Sequence, residues 1–325
     1  MSAAMLSFSC ETYIDLNRTG EEKMLVVNGN LVSEDTLHTI YLSWSKFDDV
    51  APVTAAHLEF YVNGKLADAT DKVEEPDLYS YWRSEIRVRA RFHAGDEVRV
   101  HVDADGCHAE SVSTVPDAPE ISSVDMSPFQ TKDKDGSLKD CSMAGVTLID
   151  VPGKNSYYRI TLSLESQFTV TEAAPGSGYE NGQVLCNVSR DLAFDNTAES
   201  LLYRNIGSDD SGYNYYANKY NLFTDATFAD GSYRLKLIVD NDLPSNYPDI
   251  FIPDDIVETS ERRSLRFTVL SMTRSSYSYM NAFAFDMSDQ SSWTFIDGIP
   301  YPSNVSGGTG MVSVMSAAKY DVSLK

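Results

Sequence analysis

The sequence predicts an all-β protein: an N-terminal immunoglobulin-like β-sandwich, then a larger β-rich domain with one short helix. Three observations predict it. Apolar and polar residues alternate in run after run, the period of a strand with one buried and one wet face. Turn pairs such as Asn63-Gly64 and Asp105-Gly106 separate these runs. Helical spacing appears in one stretch, from about Ser275 to Met287, where Tyr277, Met280 and Ala284 fall at i, i+3 and i+7.

Lys23 to Leu31 reads as the first strand. His38 to Ser45 sets Ile40, Leu42 and Trp44 on one face and Thr39, Tyr41 and Ser43 on the other. Ala56 to Val62 turns Ala56, Leu58, Phe60 and Val62 inward and His57, Glu59 and Tyr61 outward. From Glu85 to Phe92, Ile86, Val88, Ala90 and Phe92 oppose Glu85, Arg87, Arg89 and Arg91. Val98, Val100 and Val102 return after a turn at 93–96, and a last strand follows Asp105-Gly106 to Val115. Short strands at this spacing fit an immunoglobulin-like domain. The Cys…Trp…Cys hallmark of antibody domains is absent, so the likeness is architectural. Pro116 and Pro119 mark a stiff linker, because proline has no place inside a sheet. The expected division is 1–22 as signal remnant and tether, 23–116 as the sandwich, and 117–325 as a larger β-sandwich or barrel-like domain. In that second part Tyr158, Ile160, Leu162 and Leu164 share a face, as do Tyr233, Leu235, Leu237 and Val239, and later Leu265, Phe267 and Val269. Ser275 or Ser276 is the expected helix cap.

A chain of 325 residues suits two domains. Its net charge of -22 repels nucleic acids and anionic lipid surfaces, so neither is an expected partner. No apolar run of about 18 residues is long enough for a spanning helix. Residues 1–10 are small, apolar and uncharged and stop at Cys10, like the tail of a secretory signal that ends at a lipidated cysteine, though without a basic start. The four cysteines (Cys10, Cys107, Cys141 and Cys186) form no CxxC. Cys141 with Cys186 is the more natural disulfide pair, but free buried thiols are the favoured reading.

No nucleophile or zinc-protease motif appears, and no catalytic residue is expected. The five histidines are His38, His57, His93, His101 and His108. They read as scattered polar-face residues, with metal binding conditional on strands bringing two together. Asp133-Lys134-Asp135-Gly136 and Asp103-Ala104-Asp105-Gly106 both read D-x-D-G. Alternate carboxylates around a Gly turn suit Ca2+, which makes Asp133 and Asp135 the candidate metal ligands and Ca2+ the one candidate cofactor. Asp140 is a further acid within reach of a non-standard loop, and ordinary Asp-Gly turns remain the simpler account. Tyr213, Tyr215, Tyr216 and Tyr220, interspersed with Asn214 and Asn218, are the candidate ligand-binding residues. Tyrosine faces stack on sugar rings or peptide side chains, though a strand whose tyrosines cover the core edge gives the same pattern. Arg87, Arg89, Arg91 and Arg99 suit an acidic partner or, more simply, pair with Glu59, Glu85 or Glu97.

Several pieces taken in order carry a resemblance. They are Cys10-Glu11, LVVNG at 25–29, LSWS at 42–45, STVP at 113–116 and the 157–160 strand entry. Then come Phe228-x-x-Gly231-x-Tyr233, a Tyr-rich helix over 276–285, and the Gly-rich close Ser303-Asn304-Val305-x-Gly307-Gly308-x-Gly310. Together they resemble a Bacteroidetes lipoprotein family catalogued as domain-of-unknown-function family 4249. The resemblance implies an outer-membrane lipoprotein, lipid-anchored at Cys10 on the periplasmic or cell-surface side. It also implies a ligand-binding or accessory role beside a TonB-dependent receptor, with a small-molecule, glycan or peptide ligand and no established catalytic residues. The alternative is a structural or adhesive fimbria-like subunit that donates the segment Met311 to Leu324 as a strand.

Overall fold

The structure, a computed structural model, describes residues 12–13, 23–46, 49–74, 83–132, 135–149, 154–172, 183–203, 218–228, 231–244, 256–286 and 301–324. Strands dominate it. The first half holds β1 (Thr12–Tyr13), β2 (Met24–Val32), β3 (Leu37–Lys46), β4 (Asp49–Pro52) and β5 (His57–Val62). It continues with β6 (Lys65–Thr70), β7 (Val73–Glu74), β8 (Ser84–Arg89), β9 (Glu97–Ala104) and β10 (Cys107–Thr114). Beyond the Pro116 linker come β11 (Glu120–Lys132), β12 (Leu138–Ile149), β13 (Tyr157–Glu172), β14 (Gln183–Leu192), β15 (Leu222–Thr224), β16 (Ser232–Asp240) and β17 (Ile256–Met272). The helix α1 (Arg274–Asp286) follows, then β18 (Pro302–Ser303), β19 (Val305–Ser306) and β20 (Val312–Ser323).

Alternation becomes burial as expected. Leu25, Val27, Ile40, Leu42, Leu58, Phe60, Ile86, Val88, Val98, Val100 and Val102 are all buried in one core. That core lies between two sheets, β7-β8-β3-β2 with β20 beside β2, and β6-β5-β9-β10-β19. Two tight hairpins set registers here. Asn63-Gly64 and Asp105-Gly106 each hold two consecutive positive φ angles, the backbone of a two-residue turn between twisted strands. His38 departs from the polar-face reading. It shares the inward parity of Ile40 and Leu42, stacks beside Phe60 and Phe92 (centroids 5.8 and 5.0 Å), and puts Nε2 3.2 Å from the Ala90 carbonyl oxygen. A second core joins β11-β12-β16 to β13, β17 and the distal part of β20, through Val146, Leu148, Ile160, Leu162, Leu235, Leu237, Leu265 and Phe267.

The C-terminal segment joins the two sandwiches. Val312–Met315 pairs in parallel with Gly29–Val32, and Met315–Ser323 pairs antiparallel with Met272–Ser264. Met315 is the pivot, opposite Val32 on one side and Met272 on the other. Val305, Val312 and Val314 fill the first core, so residues 23–116 do not close that sandwich alone. Ser316 Oγ donates to the Pro116 carbonyl at 2.7 Å and clips the linker to the shared strand. Val312–Met315 is paired on one edge and Met315–Ser323 on the other, both within its own chain, and such a segment is no free donor, which counts against strand donation from Met311 to Leu324.

The helix begins where β17 ends. Thr273, not Ser275 or Ser276, is the cap: its Oγ1 accepts the Ser276 N–H at 3.2 Å. Thr273 is the residue between the strand and the first helical turn, and Ser276 is drawn inside, fully buried. Tyr277 and Met280 bury against Leu222, Met272 and the pivot Met315.

Candidate functional site

Of the four expected ligand-binding tyrosines, Tyr213, Tyr215 and Tyr216 lie outside the described residues, as do Cys10 and Asp133. Tyr220 is described and belongs to an aromatic wall. Its loop is fixed by Asn218, a buried side chain that accepts from the Leu222 N–H (2.9 Å) and donates to the Leu222 carbonyl (2.7 Å). Helix α1 supplies the rest of the wall. Tyr279 and Phe283 stand four residues apart, so they lie on one face of the helix. The Tyr220 and Phe283 rings are 6.3 Å apart, and Tyr301 closes on Tyr279 at 5.7 Å and on Phe283 at 6.5 Å. These separations are those of interacting aromatic rings. Phe283 is nonetheless exposed, and the other three rings are half-buried. Under Tyr220 lies the guanidinium of Arg159, its carbon 5.6 Å from the ring centroid. Burial lowers the Arg159 pKa from its ordinary value, and its buried Nε has no hydrogen-bond partner among the described residues. Burial also raises the pKa of the Tyr220 and Tyr279 phenols above the ordinary value.

A second polar array covers the outer face of the first sandwich. The Asp105-Gly106 turn sets Asp103 opposite His108 and His101 opposite Glu110, and the β5–β9 register adds His57 opposite Asp103 and Glu59 opposite His101. The strands therefore do bring two histidines together. His101 and His108 stack with centroids 6.4 Å apart, and both face Asp103. The His108 hydrogen bond holds the Asp103 carboxyl below its ordinary pKa, and Asp71 raises that of His57, with Nδ1 2.6 Å from its carboxylate. A shallow pocket of about 370 Å³ adjoins the array, lined by Ala55, Ala56, Asp71, the 103–107 turn and His108.

The remaining sequence candidates fall elsewhere. Asp105 pairs with Lys23 Nζ at 2.8 Å, so the two carboxylates of 103–106 serve different partners. Asp135 lies exposed in a turn with Gly136, and Asp140 accepts from Gln130 at 2.8 Å. Arg87 reaches Glu74 (3.2 Å) and Glu85 (3.4 Å). Arg99 lies over the Tyr61 ring at 4.1 Å and reaches Glu110, not the expected Glu59 or Glu97, because Tyr61 is its cross-strand neighbour. Cys141 is a free buried thiol and Cys107 a free half-buried one, and the side chain of Cys186 lies outside the described residues.

Sequence reasoning missed Glu199. Its buried carboxylate accepts from Tyr233 Oη (2.8 Å) and from the Leu201 and Lys236 N–H groups (3.0 and 2.8 Å). Nothing in the local pattern of a loop announces such a hub.

Residues 11–321 match the family described as Domain of unknown function (DUF4249). No curated protein matches the chain.

Proposed function

The chain belongs to that DUF4249 family, which it matches over nearly its whole length, and on this premise we propose that it is a non-catalytic binding module of the cell envelope. It is held to the outer membrane by lipid on Cys10 and works beside a TonB-dependent receptor, where it holds or passes a small-molecule, glycan or peptide ligand. The observation that carries the binding part is the aromatic wall. Tyr220, Tyr279, Phe283 and Tyr301 offer ring faces for stacking, and beneath Tyr220 lies the Arg159 guanidinium, whose buried Nε has no partner among the described residues. A sugar ring or an aromatic peptide side chain with a nearby oxygen acceptor matches that set. An enzyme has less support. Among the described residues the histidine ring nitrogens meet carboxylates and one backbone carbonyl, with no hydroxyl or thiol nucleophile against them.

The test is affinity purification of the tagged full-length protein from solubilised envelopes. Enrichment of an outer-membrane receptor with the wild-type chain is the expected result. Purification without any such receptor would remove the partner part of the reading.

A further inference from the structure

We propose that the outer face of the first sandwich binds one first-row transition-metal ion, best matched by Zn2+, through His101, Asp103 and His108. The three side chains stand on adjacent strands, and their donor atoms all lie within 4.8 Å of one another. Asp103 Oδ1 is the centre of the group, 3.2 Å from His101 Nε2 and hydrogen-bonded to His108 Nδ1. Donors that share a tetrahedral zinc at about 2.0–2.1 Å stand about 3.3 Å from each other. Small side-chain rotations bring these three to that spacing without moving the strands.

The surroundings orient the set. The other nitrogen of His101, Nδ1, faces Glu110 Oε2 at 3.9 Å, and Arg99 holds the same carboxylate at 3.7 Å. A carboxylate that closes from this separation to hydrogen-bond distance behind a ligating imidazole fixes its tautomer and raises its basicity. The ligands are accessible, with side chains 27%, 37% and 72% exposed for His101, Asp103 and His108. Three protein donors leave a coordination position open, and the shallow pocket beside Asp103 and His108 gives a further ligand room to reach it. The donor set also selects the ion. Two imidazoles with one carboxylate suit Zn2+, Fe2+, Ni2+ or Cu2+, whereas Ca2+ and Mg2+ require oxygen ligands. A net charge of -22 raises the local cation concentration. This inference uses different residues and a different sandwich from the aromatic wall and stands or falls separately from the ligand-binding reading.

The experiment uses the full chain without a histidine tag, titrated with Zn2+ against a chromogenic chelator, with native mass spectrometry to count bound ions. One zinc per chain is expected. His101→Gln, Asp103→Asn and His108→Gln each weaken binding by more than tenfold, and Glu110→Gln weakens it by about tenfold. A large excess of Ca2+ leaves the zinc in place, and His93→Gln and Cys107→Ser bind as wild type. Because His93, His101, Asp103, His108 and Glu110 all stand outside the core, urea midpoints of their variants stay near wild type, and that of Cys107→Ser, whose half-buried thiol packs against the core, is measured separately so that a loss of fold is not read as a loss of binding. No zinc uptake, uptake that survives all three ligand changes, loss of uptake in Cys107→Ser, or displacement by Ca2+ would each overturn the proposal.

Discussion

Gly310→Ala tests how the two sandwiches are joined. Gly310 has φ +119°, a backbone that L side chains rarely adopt, and a Cβ there would fall on the Val27 carbonyl oxygen, 2.9 Å from its carbon and 3.0 Å from Asn28 Oδ1. The obstacle is strand backbone and cannot swing aside. Forced φ costs on the order of 1–3 kcal/mol. Moving the segment off β2 also weakens the bonds Val27 N–H to Thr309 O (2.8 Å), Thr309 N–H to Leu25 O (2.9 Å) and Gly29 N–H to Met311 O (3.0 Å). Each is worth roughly 0.5–1.5 kcal/mol. The expected loss is about 3–6 kcal/mol, a large part of an ordinary domain's stability. The control is Gly64→Ala, which also has positive φ (+72°) but nothing within 4 Å of a Cβ, and which costs about 1 kcal/mol. Urea unfolding followed by circular dichroism measures both. A Gly310→Ala loss no greater than that of Gly64→Ala would mean that this segment is not locked against β2.

Other outcomes follow from single residues. Burial pushes the His38 imidazole below its ordinary value of 6.5, so the unfolded chain takes the proton first as pH falls. Its contribution is complete above about pH 6.5 and declines below it, and urea midpoints measured from pH 7.5 to 5 show less of this decline in His38→Phe than in wild type. Glu199→Ala strands the Tyr233 hydroxyl and two backbone N–H groups and lowers stability by about 2–4 kcal/mol in the same assay. Thr273→Ala removes the cap of α1 and costs about 1 kcal/mol, whereas Ser275→Ala costs less. Cys10→Ala, expressed from the full gene, moves the protein out of the membrane fraction. Retention equal to wild type would place the anchor elsewhere.

What the sequence revealed and what it hid divide along contact range. Strand faces such as Ile86, Val88, Ala90 and Phe92 were legible because alternation is local. Part of the polar array was legible too. A two-residue turn at Asp105-Gly106 dictates that 103 faces 108 and 101 faces 110, so the meeting of His101 and His108 follows from the turn register. The approach of His57 to Asp103 does not, because β5 and β9 are joined by no short turn. The role of Val312–Met315 was hidden for the same reason, as its partners at 29–32 lie nearly the whole chain away. Its five consecutive buried residues, Val312–Ser316, do not alternate, since the strand is covered on both faces where the sandwiches meet. The cap at Thr273 was missed because three hydroxyl residues stand nearly in a row, and only the end of β17 selects among them. The aromatic wall needed the fold, which carries Tyr220 and Tyr301, from distant parts of the chain, to the same Phe283 ring of α1.

The most direct test of the binding role is photo-cross-linking from the wall itself, in the cells that make the protein. A photoreactive benzoylphenylalanine replaces Phe283 in one strain and Leu138, another exposed apolar residue, in a control. Light-dependent adducts to an envelope receptor or its cargo are expected from position 283 and none from 138. Equal adducts at both positions, or none at 283, would contradict the binding role.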